Sequence, residues 1–588
     1  MDLHWQLGTR SARLHHMGKK FSRVAHTQRT SAAACIALAG LTLTAIARFG
    51  KLPPNPQIPS QHYDAKTNPL SDVAPIHRRS KLFRRLLSHI QRLNIRSDTV
   101  APLSDSQRRD LHQAIDTLTA NHPDQTGVYL LSQGTDAFAA RLAVIMSAEK
   151  SLDLQYYIWD SDVTGMLLFQ AVRQAAERGV RVRLLIDDNN TLGNDPIFVT
   201  LNRHPNIEVR LYNPNRYRTL RWLGFIGDLP RLNRRMHNKS LTADNRVSIT
   251  GGRNIGDEYF AVEGNVFFAD LDTLLIGQVV PQISQDFDRY WNSALAYPVE
   301  AIVCQRDTSR AVVQYTARRL RRQNRRSKAL RKRYLALVKN TDFVTQLRAK
   351  GLPLFWARVE LVGDDPDKTL GFRSGKLRLR RRVSREFMRI LRTPTRQLRI
   401  VSPYFVPTKA GTRALIQLAK QGVDIGILTN AMSATDVKIV HSGYAKYRKR
   451  LLRHGIELYE MKPNARTEKF RDKYITGSTG SSLHAKTFEI DGQKIFIGSY
   501  NFDPRSEQFN TEMGVIVHSP ALAQTVFDGL QQNVPTASYR VRLKFGRLRW
   551  ITHEHGKTLV YTHEPNTQAW ERAAVWLLAH LPFVEVLL

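Results

Sequence analysis

The amino-acid sequence predicts an α/β fold made of two similar halves, whose mixed sheets pack around one shared site. From about residue 125 onward, short apolar segments typical of strands alternate with amphipathic helices. This pattern recurs in the second half of the chain, where Gly422-Val423 ends a helix as Gly179-Val180 does in the first. A motif of chemically active residues also occurs twice, at nearly the same separation as the two glycines. Internal duplication is the simplest explanation of these observations.

Length, composition and charge exclude several classes of protein. The chain has 588 residues, too many for a single core, and 42% of them are hydrophobic, as is typical of globular proteins. Its two cysteines, Cys35 and Cys304, exclude a fold built on disulfides and a cysteine-rich metal site. A formal net charge of +37 predicts an anionic partner: nucleic acid, anionic lipid head groups or a phosphate-bearing substrate.

The N-terminal region carries features typical of membrane association. Residues 1–50 are predicted to be a basic N-terminus with a weak membrane anchor or a cleaved signal, because the uncharged segment 32–47 is shorter than a usual spanning helix. Residues 51–124 are predicted to contain a linker and then a basic amphipathic helix at 77–96. This helix suits either an anionic membrane surface or the core of the protein itself.

The first half is predicted to occupy residues 125–300. Strands are predicted at 151–159, 181–188 and 206–213, and an amphipathic helix at 165–179. Residues 301–375 are predicted to be a basic helical connector, because the stretch 311–340 contains eleven Lys and Arg residues and no acid. This stretch is either a solvated surface or a patch that holds anionic surfaces near the site.

The second half is predicted to occupy residues 376–520. Its strands are predicted at 398–406, 423–430 and 456–461, and its helices at 411–422 and in a basic stretch that ends near His454. Residues 521–588 then form a C-terminal extension with an apolar end. That end, at 575–588, either packs on the core or contacts lipid.

The repeated motif reads H-x-K-x4-D-x6-G-[GS]-x-N in both halves. The two copies supply His237, Lys239, Asp244, Gly252 and Asn254, and His484, Lys486, Asp491, Ser499 and Asn501. Residues two apart in a strand point to the same face, so each imidazole and its ammonium group project together. The aspartate predicts a turn, after which a second strand ends in a glycine-rich corner that carries the asparagine.

Two such halves, folded face to face, bring two histidines, two lysines and two asparagines around one point. Ammonium and amide groups suit a phosphoryl group, because they neutralise the negative charge that builds up during its transfer. The histidines supply a nucleophile and a proton donor. A metal site is the competing interpretation, and it is rejected because each histidine is paired with a lysine whose charge repels a cation.

The duplicated motif resembles the hallmark of the phospholipase D superfamily, and the resemblance covers about residues 125–520. Four segments are similar to bacterial cardiolipin synthases: YYIWDSDVTGMLL (156–168), NRRMHNKS (233–240), GGRNIGDEYF (251–260) and SPYFVPTKAG (402–411). The resemblance implies a duplicated phospholipase D-type fold and a two-step phosphatidyl transfer that needs no metal and no cofactor. One departure is Gly252, where many members have serine, whose hydroxyl would contact phosphate.

By the tendency of the family, His237 is expected to be the nucleophile and His484 the general acid and base. The sequence itself is symmetric on this point. Lys239, Lys486, Asn254, Ser499 and Asn501 would hold the phosphate oxygens. Asp244 and Asp491 belong to the catalytic motif, although the family more often uses them to fix a turn. The resemblance further suggests acids that orient the histidines, which are Asp270 for His237, with Asp272 as its rival, and Glu512 for His484.

Three functions remain open from the sequence. The first is a membrane-associated phosphatidyltransferase that makes cardiolipin from phosphatidylglycerol and a second phospholipid, and the others are a lipid hydrolase of the same fold and a phospholipase D-family nuclease. The apolar and amphipathic segments favour phospholipid substrates at an anionic bacterial membrane over nucleic acid, for which no interleaving of basic and aromatic residues is found. The side of the membrane and the oligomeric state stay open.

Overall fold

The computed structural model describes residues 104–218, 220–262, 267–303, 328–349, 351–373, 383, 385–386, 389, 393–435, 437–463, 481–554 and 556–581. The predicted membrane anchor or signal at 32–47 and the predicted basic helix at 77–96 lie outside these residues, as does the chain end at 582–588. Within the described ranges, no helix has both the length and the apolar character needed to cross a membrane.

The first half is a mixed sheet flanked by helices. Its strands are β1 (Thr126–Leu131), β2 (Ser151–Tyr156), β3 (Arg181–Asp187), β4 (Ile207–Tyr212), β5 (Ser240–Ala243), β6 (Val247–Gly251), β7 (Phe267–Ala269), β8 (Asp272–Gly277) and β9 (Ala296–Pro298). Its helices are α1 (Asp105–Ala120), α2 (Gly134–Ser147), α3 (Val163–Glu177), α4 (Asp195–Asn202), α5 (Arg221–Leu232), α6 (Val279–Trp291) and α7 (Val299–Ile302). Strands β2, β3 and β4 are parallel, whereas β5, β6, β8 and β1 pair antiparallel in that order. The predicted strands and helix of this half are confirmed at β2, β3, β4 and α3.

The second half repeats this arrangement. Helix α8 (Asp342–Ala349), whose Phe343 packs in the core of the first half, and strand β10 (Phe355–Gly363) lie between the two halves in the chain. The elements of the second half are β11 (Gln397–Val401), α9 (Thr408–Lys420), β12 (Asp424–Asn430), α10 (Lys438–Ala445), α11 (Arg448–Arg453), β13 (Glu457–Met461), β14 (Ser481–Leu483), β15 (Thr487–Ile490), β16 (Lys494–Gly498), α12 (Pro504–Gln508) and β17 (Met513–His518). Strands β11, β12 and β13 are parallel, and β15 pairs antiparallel with both β11 and β16. The basic stretch before β13, predicted as one helix, is divided into α10 and α11.

The C-terminal extension continues the second sheet. It consists of α13 (Pro520–Ala537), β18 (Ser538–Lys544), β19 (Arg547–Glu554), β20 (Lys557–Tyr561) and α14 (Ala569–His580). Strand β18 pairs antiparallel with β13, and β19 and β20 follow it. The sheet of the second half therefore extends beyond the boundary that the sequence predicted at residue 520.

The two Gly-Val pairs that revealed the duplication have the same structural role. Gly179 (φ 98°) and Gly422 (φ 92°) adopt the left-handed conformation that ends a helix and that glycine reaches without strain. The Val180 N–H donates to the Ala175 carbonyl, and the Val423 N–H donates in the same way to Leu418. Each pair thus closes a helix and starts the next parallel strand, β3 or β12.

The region predicted as a helical connector contains a strand that joins the two sheets. Residues 355–357 of β10 pair antiparallel with β1 of the first half, and residues 358–363 pair with β17 of the second. Of the basic stretch 311–340, residues 328–338 are helical, and Tyr334 and Val338 pack into the core of the first half. The prediction of a purely helical connector is therefore wrong, because its apolar alternating part at 355–363 completes both sheets.

A shared apolar core holds the halves together. It combines residues of β1, β8 and α6 with residues of β16 and β17, among them Val128, Leu275, Ile283, Ile497 and Val515. Each half also has a larger core of its own between its sheet and its helices. Since the halves share one core, the two copies of the motif are fixed relative to each other.

Candidate active site

The two copies of the motif lie where two equivalent β-hairpins begin. His237 and Lys239 directly precede β5, and His484 and Lys486 directly precede β15. The sequence predicted these residues within a strand, whereas the strands start one residue after each lysine. Both lysine side chains are buried, and His237 is buried as well.

The motif aspartates lie at the opposite ends of the hairpins. Asp244 (φ 52°) and Asp491 (φ 57°) occupy the left-handed region at the hairpin tips, which two-residue turns require. The intervening strand places each aspartate about 16 Å from the lysine of its own motif. The Asp244 carboxylate accepts hydrogen bonds from the backbone N–H groups of Glu149, Lys150 and Ser151 at 2.8, 2.7 and 2.7 Å. These aspartates therefore fasten the hairpin tips to the preceding segments, which is the role that the family more often gives them.

We expect Asp244→Ala to lower the free energy of unfolding by about 2–4 kcal/mol, because three N–H groups lose their acceptor and alanine is strained at a positive φ. Turnover of the folded enzyme should stay within about twofold of the wild type. Urea unfolding and kcat measured on the same preparation check this. Asp116→Ala removes only an exposed ion pair with Arg246 and serves as the control. A large loss of kcat with no change in the free energy of unfolding would show that Asp244 takes part in catalysis.

Each motif histidine is held by an acid from the other half of the molecule. His237 Nδ1 lies 2.8 Å from Glu512 Oε2, and His484 Nδ1 lies 2.6 Å from Asp270 Oδ2. The resemblance had suggested Asp270 for His237 and Glu512 for His484, so both pairings are reversed. With Nδ1–H donated to a carboxylate, Nε2 of each ring is the atom left for chemistry.

Backbone pairing across the two halves explains this crossing. The His237 N–H donates to the Thr511 carbonyl, one residue before Glu512. The His484 N–H donates to the Ala269 carbonyl, one residue before Asp270, where β14 and β7 form a parallel pair. The backbone of each histidine therefore binds the segment of the opposite half in which the next residue is the acid that contacts its ring.

Asp272, the rival of Asp270, has different partners. Its Oδ2 accepts a hydrogen bond from Arg141 at 2.9 Å and lies 3.3 Å from the Arg253 guanidinium. All three side chains are buried. Asp272 thus neutralises two buried arginines beneath the site, and Asp270 is the acid that contacts a histidine.

The lysines point toward the same place as the histidines. Lys239 Nζ donates to the His237 carbonyl at 2.6 Å, and Lys486 Nζ lies 3.0 Å from His484 Nδ1 and also donates to the His484 carbonyl. Burial lowers the pKa of Lys239 well below its ordinary value. An anionic group bound at this point would favour the charged ammonium form.

Burial and positive neighbours lower the pKa of both imidazoles, which favours their neutral form. Burial first, and then the charges of Lys239, Lys486 and His484, lower the pKa of His237 well below its ordinary value. Burial and then Lys486 lower the pKa of His484 to about 4, against the opposing effect of Asp270. Since both motif lysines and His484 act on His237, the two copies of the motif converge on one point.

The two acids differ in charge, which the symmetric sequence did not indicate. Burial raises the pKa of Glu512 to about 7, although Lys239 and the hydroxyls of Ser499 and Ser506 oppose this. Burial also acts on Asp270, but the charges of His484, Lys486 and Arg253 outweigh it and hold its pKa below the ordinary value. His484 therefore has an ionised partner at neutral pH, whereas the partner of His237 is only partly ionised.

The predicted phosphate-binding residues are not equally available. The Asn254 amide accepts the Ile158 N–H at 3.2 Å and donates to the Tyr259 hydroxyl at 2.9 Å. The Ser499 hydroxyl donates to Glu512, so it supports that acid and not a phosphate. The buried Oδ1 of Asn501 has no hydrogen-bond partner among the described residues. A phosphate oxygen would take a hydrogen bond from the Nδ2 group of Asn501 only, because Oδ1 and the phosphate oxygen are both acceptors.

Gly252 lies against the acid of the other copy. A Cβ atom at this position would come within 2.1 Å of Asp270 Oδ1. A serine here, as in many members of the family, would displace the carboxylate that holds His484. Glycine at position 252 therefore leaves the space that the Asp270 carboxylate occupies.

Two tyrosines at the site were not found from the sequence. The Tyr157 ring packs edge-on against His237 at 5.0 Å, and the Tyr259 ring packs edge-on against His484 at 5.2 Å, both between ring centroids. They lie in the segments YYIWDSDVTGMLL and GGRNIGDEYF, which carried the resemblance. Tyr157 has an equivalent in Tyr404 at the same separation as that between the motif histidines, whereas the equivalent position for Tyr259 is Ser506. Each tyrosine shields its imidazole from water and fixes the plane of the ring.

A second layer supports Glu512. Its backbone N–H donates to Asp364 at 3.2 Å, and the buried Lys368 ammonium donates to the same Asp364 carboxylate at 2.7 Å. The Ser506 hydroxyl donates to Glu512 Oε1 at 2.8 Å. These contacts leave the Glu512 carboxylate a single position, facing His237.

The geometry suits transfer of a phosphoryl group between two hydroxyl compounds. Two imidazoles, each bound through Nδ1 to an acid, lie close to ammonium and amide groups, which is the arrangement that a double displacement at phosphorus needs. In the part of the chain that the structure describes, no three His, Cys, Asp or Glu side chains are grouped as a metal site. The independence from metals stays a prediction.

Comparisons with known proteins identify the family. A family model described as "Cardiolipin synthase, PLD-like domain" matches residues 142–291 and 387–532. The chain is 45% identical to cardiolipin synthase C of Escherichia coli over 475 residues, which cover 80% of this chain and 98% of that protein. It is 30% identical to an uncharacterized protein of Helicobacter pylori, over 76% of this chain and 86% of that one.

A solved structure of phosphatidylserine synthase from Haemophilus influenzae is 14% identical and aligns with a TM-score of 0.49 over 80% of this chain and 98% of that one. Each of the two ranges that the family model matches contains one copy of the motif, at His237 and at His484. The duplicated phospholipase D-type fold is thereby confirmed, and the chain belongs to the cardiolipin synthase family of phospholipase D-like proteins.

Proposed function

We propose that this protein makes cardiolipin from phosphatidylglycerol and a second phospholipid, through a phosphohistidine intermediate. The observation that carries the proposal is the pair of motif histidines, each bound through Nδ1 to an acid of the opposite half. This arrangement leaves one Nε2 to attack phosphorus and another to transfer protons. Cardiolipin synthase C, to which this chain is 45% identical over 475 residues, supports the choice of substrate.

In the first step, His237 Nε2 attacks the phosphorus of the donor lipid. A P–N bond forms, the P–O bond to the head-group alcohol breaks, and protonated His484 gives its proton to that alcohol. The ionised Asp270 favours this role of His484, because it stabilises the imidazolium. Burial and the neighbouring positive charges lower the pKa of His237, which favours its role as the neutral nucleophile.

In the second step, His484 takes a proton from a hydroxyl of phosphatidylglycerol. The resulting oxygen attacks the phosphohistidine, the P–N bond breaks, and His237 is restored. Lys239 and Lys486 neutralise the non-bridging oxygens in both steps, and Asn501 adds a hydrogen bond. An anionic phosphate between the two ammonium groups also raises the pKa of His484, which lets that residue carry the proton.

Lys239→Ala should lower kcat/KM by roughly 100-fold or more, which corresponds to about 3 kcal/mol of transition-state stabilisation. The reason is that the buried ammonium interacts with charge that grows as the P–O bond breaks. Steady-state kinetics on lipid vesicles measure the effect. Lys494→Ala is the matched control, because this lysine lies at the tip of a hairpin, where it contacts Thr393. A loss of less than about tenfold would contradict the role of Lys239.

The function is tested by incubating the purified protein with vesicles of phosphatidylglycerol and phosphatidylethanolamine and analysing the lipids by mass spectrometry. Cardiolipin formed by the wild type and not by His237→Ala supports the proposal, and isotopic labels on either lipid identify the donor. Phosphatidic acid in place of cardiolipin would make the protein a hydrolase. If no lipid changes, single-stranded DNA and RNA are the next substrates to test.

We further propose that the enzyme works at a bacterial membrane, with anionic phospholipid as its surface and no nucleic acid as its partner. The net charge of +37 supports attraction to anionic head groups. The proposal leaves open which side of the membrane the site faces.

A further inference from the structure

Helix α5 exposes a face of large apolar side chains to solvent. Trp222, Ile226 and Leu229 are 57%, 47% and 51% exposed, and Phe225 is also exposed. Trp222, Phe225 and Ile226 follow a helical spacing, so they lie on one face. A surface helix of a soluble domain usually turns such a face inward.

The polar side chains of α5 hold this unusual orientation. The Arg221 guanidinium donates to Thr191 Oγ1 at 2.7 Å and to the Asp188 carbonyl at 2.6 Å. Near the other end of the helix, Arg231 donates to Asn213 Oδ1 and to the Pro214 carbonyl. The arginines thus attach the helix to the protein, and the apolar side chains remain outside.

The apolar surface extends past the helix. Leu220, just before α5, is 52% exposed, and Leu192, next to the Thr191 that binds Arg221, is 63% exposed. These residues with Trp222, Phe225, Ile226 and Leu229 are named the α5 surface below. A contiguous exposed surface of this kind marks a site of interaction with a protein or a membrane.

The α5 surface lies beside the active site. Helix α5 follows the carboxyl end of β4, and only a few residues separate its last residue, Leu232, from His237. Between them, Arg505 of the second half donates to Asn233 Oδ1 at 2.7 Å. The end of α5 is thus joined through Asn233, which contacts the second half, to the segment that carries His237.

The surrounding charge identifies the chemistry of the partner. Residues 214–235 contain six arginines and one acid, and of these arginines Arg216 is exposed while Arg221 and Arg231 are partly exposed. Apolar side chains beside exposed arginine suit the interface of an anionic bilayer, where the side chains enter the acyl boundary and a guanidinium group meets phosphates. Tryptophan in particular favours this depth.

We propose that the α5 surface inserts into the head-group region of an anionic lipid bilayer and delivers lipid directly to the site. This inference rests on the proposed function, since it names the surface through which the enzyme reaches its substrate. A lipid then moves from the bilayer to the histidines without crossing bulk water. The face that α5 turns to solvent is thus a docking face.

The test compares two forms of one substrate in the full-length protein. The triple variant Trp222→Ser, Ile226→Ser, Leu229→Ser should lose roughly tenfold or more of its rate on phosphatidylglycerol vesicles, because it buries less apolar area in the bilayer. Its rate on short-chain phosphatidylglycerol below the critical micelle concentration should stay within about twofold. Leu118→Ser, on α1 near the tip of the β5–β6 hairpin, is the matched control and should change neither rate.

An unchanged ratio of the two rates in the triple variant would overturn the proposal. The proposal would also be overturned if the wild type were a dimer, the triple variant were a monomer, and the ratio of the two rates were the same in both proteins. A second copy of the chain would then cover the α5 surface. If the wild type forms no product from either substrate, the proposed function fails, and insertion into the bilayer is then tested separately by fluorescence quenching. Brominated lipids should then still quench the fluorescence of the wild type, and Trp222→Phe should reduce that quenching; equal quenching in both proteins would overturn the proposal.

Discussion

Replacing His237 or His484 by alanine should each abolish cardiolipin formation, by about 10⁴-fold or more, yet the two variants should fail at different points. Without His237 there is no nucleophile, so no P–N bond forms with any donor. Without His484 the nucleophile remains, but the leaving alcohol receives no proton. Both rates are measured on phosphatidylglycerol vesicles, with the exposed His454→Ala as the control.

A donor with a nitrophenol leaving group separates the two roles. Because nitrophenolate departs without a proton, His484→Ala should still release about one equivalent and accumulate phosphohistidine. His237→Ala should release none. Acid-quenched samples analysed by mass spectrometry would locate the phosphoryl group on His237. A burst in His237→Ala, with phosphate on His484, would exchange the two assignments.

Much of the architecture follows from local patterns in the sequence. The parallel strands β3 and β12 could be placed because apolar segments of strand length follow a Gly-Val helix end, and in both halves the glycine has the positive φ that the pattern implies. The repeated motif placed His237 and His484 together because an identical spacing in duplicated halves folds to one point. These features depend on residues close to one another in the chain.

The features that could not be predicted depend on pairing between distant segments. Strand β10 lies in the region predicted as a helical connector, since no local pattern shows that its residues bind both β1 and β17. The turn at Asp244 could be predicted from the motif, but the segments that this aspartate fastens, at Glu149, Lys150 and Ser151, could not. Burial also breaks the symmetry of the two acids, because it raises the pKa of Glu512 while neighbouring charges lower that of Asp270.

The pairing of the two acids with the two histidines was also predicted wrongly, because it depends on contacts between distant segments. Family resemblance paired each histidine with an acid of its own half, since the sequence holds no record of which strands meet across the interface. In the structure, Thr511 and Ala269 bind the backbones of His237 and His484, so the residues that follow them reach the opposite rings. The exchange means that neither half has a complete catalytic unit alone.

Asp270→Asn and Glu512→Gln should therefore impair different steps, each by about 10²–10⁴-fold in kcat on vesicles. Asp270→Asn leaves the His484 imidazolium without its ionised partner, so proton transfer fails, and a nitrophenol donor should restore the burst of phosphohistidine. Glu512→Gln loses the acceptor that fixes the tautomer of His237, so formation of the P–N bond slows with either donor. Asp503→Asn, another buried acid near Ser506, is the control for polarity.

If each histidine were instead held by the acid of its own half, the effects of the two substitutions would be exchanged. The nitrophenol donor would then restore the burst of Glu512→Gln and not that of Asp270→Asn. The double variant His484→Ala, Asp270→Asn sharpens the test, because a residue that acts only through His484 adds no further loss once His484 is gone. Combining His484→Ala with Glu512→Gln should instead reduce the remaining burst further, since Glu512 acts through His237. This difference shows whether each acid acts on the histidine of the opposite half or on that of its own half.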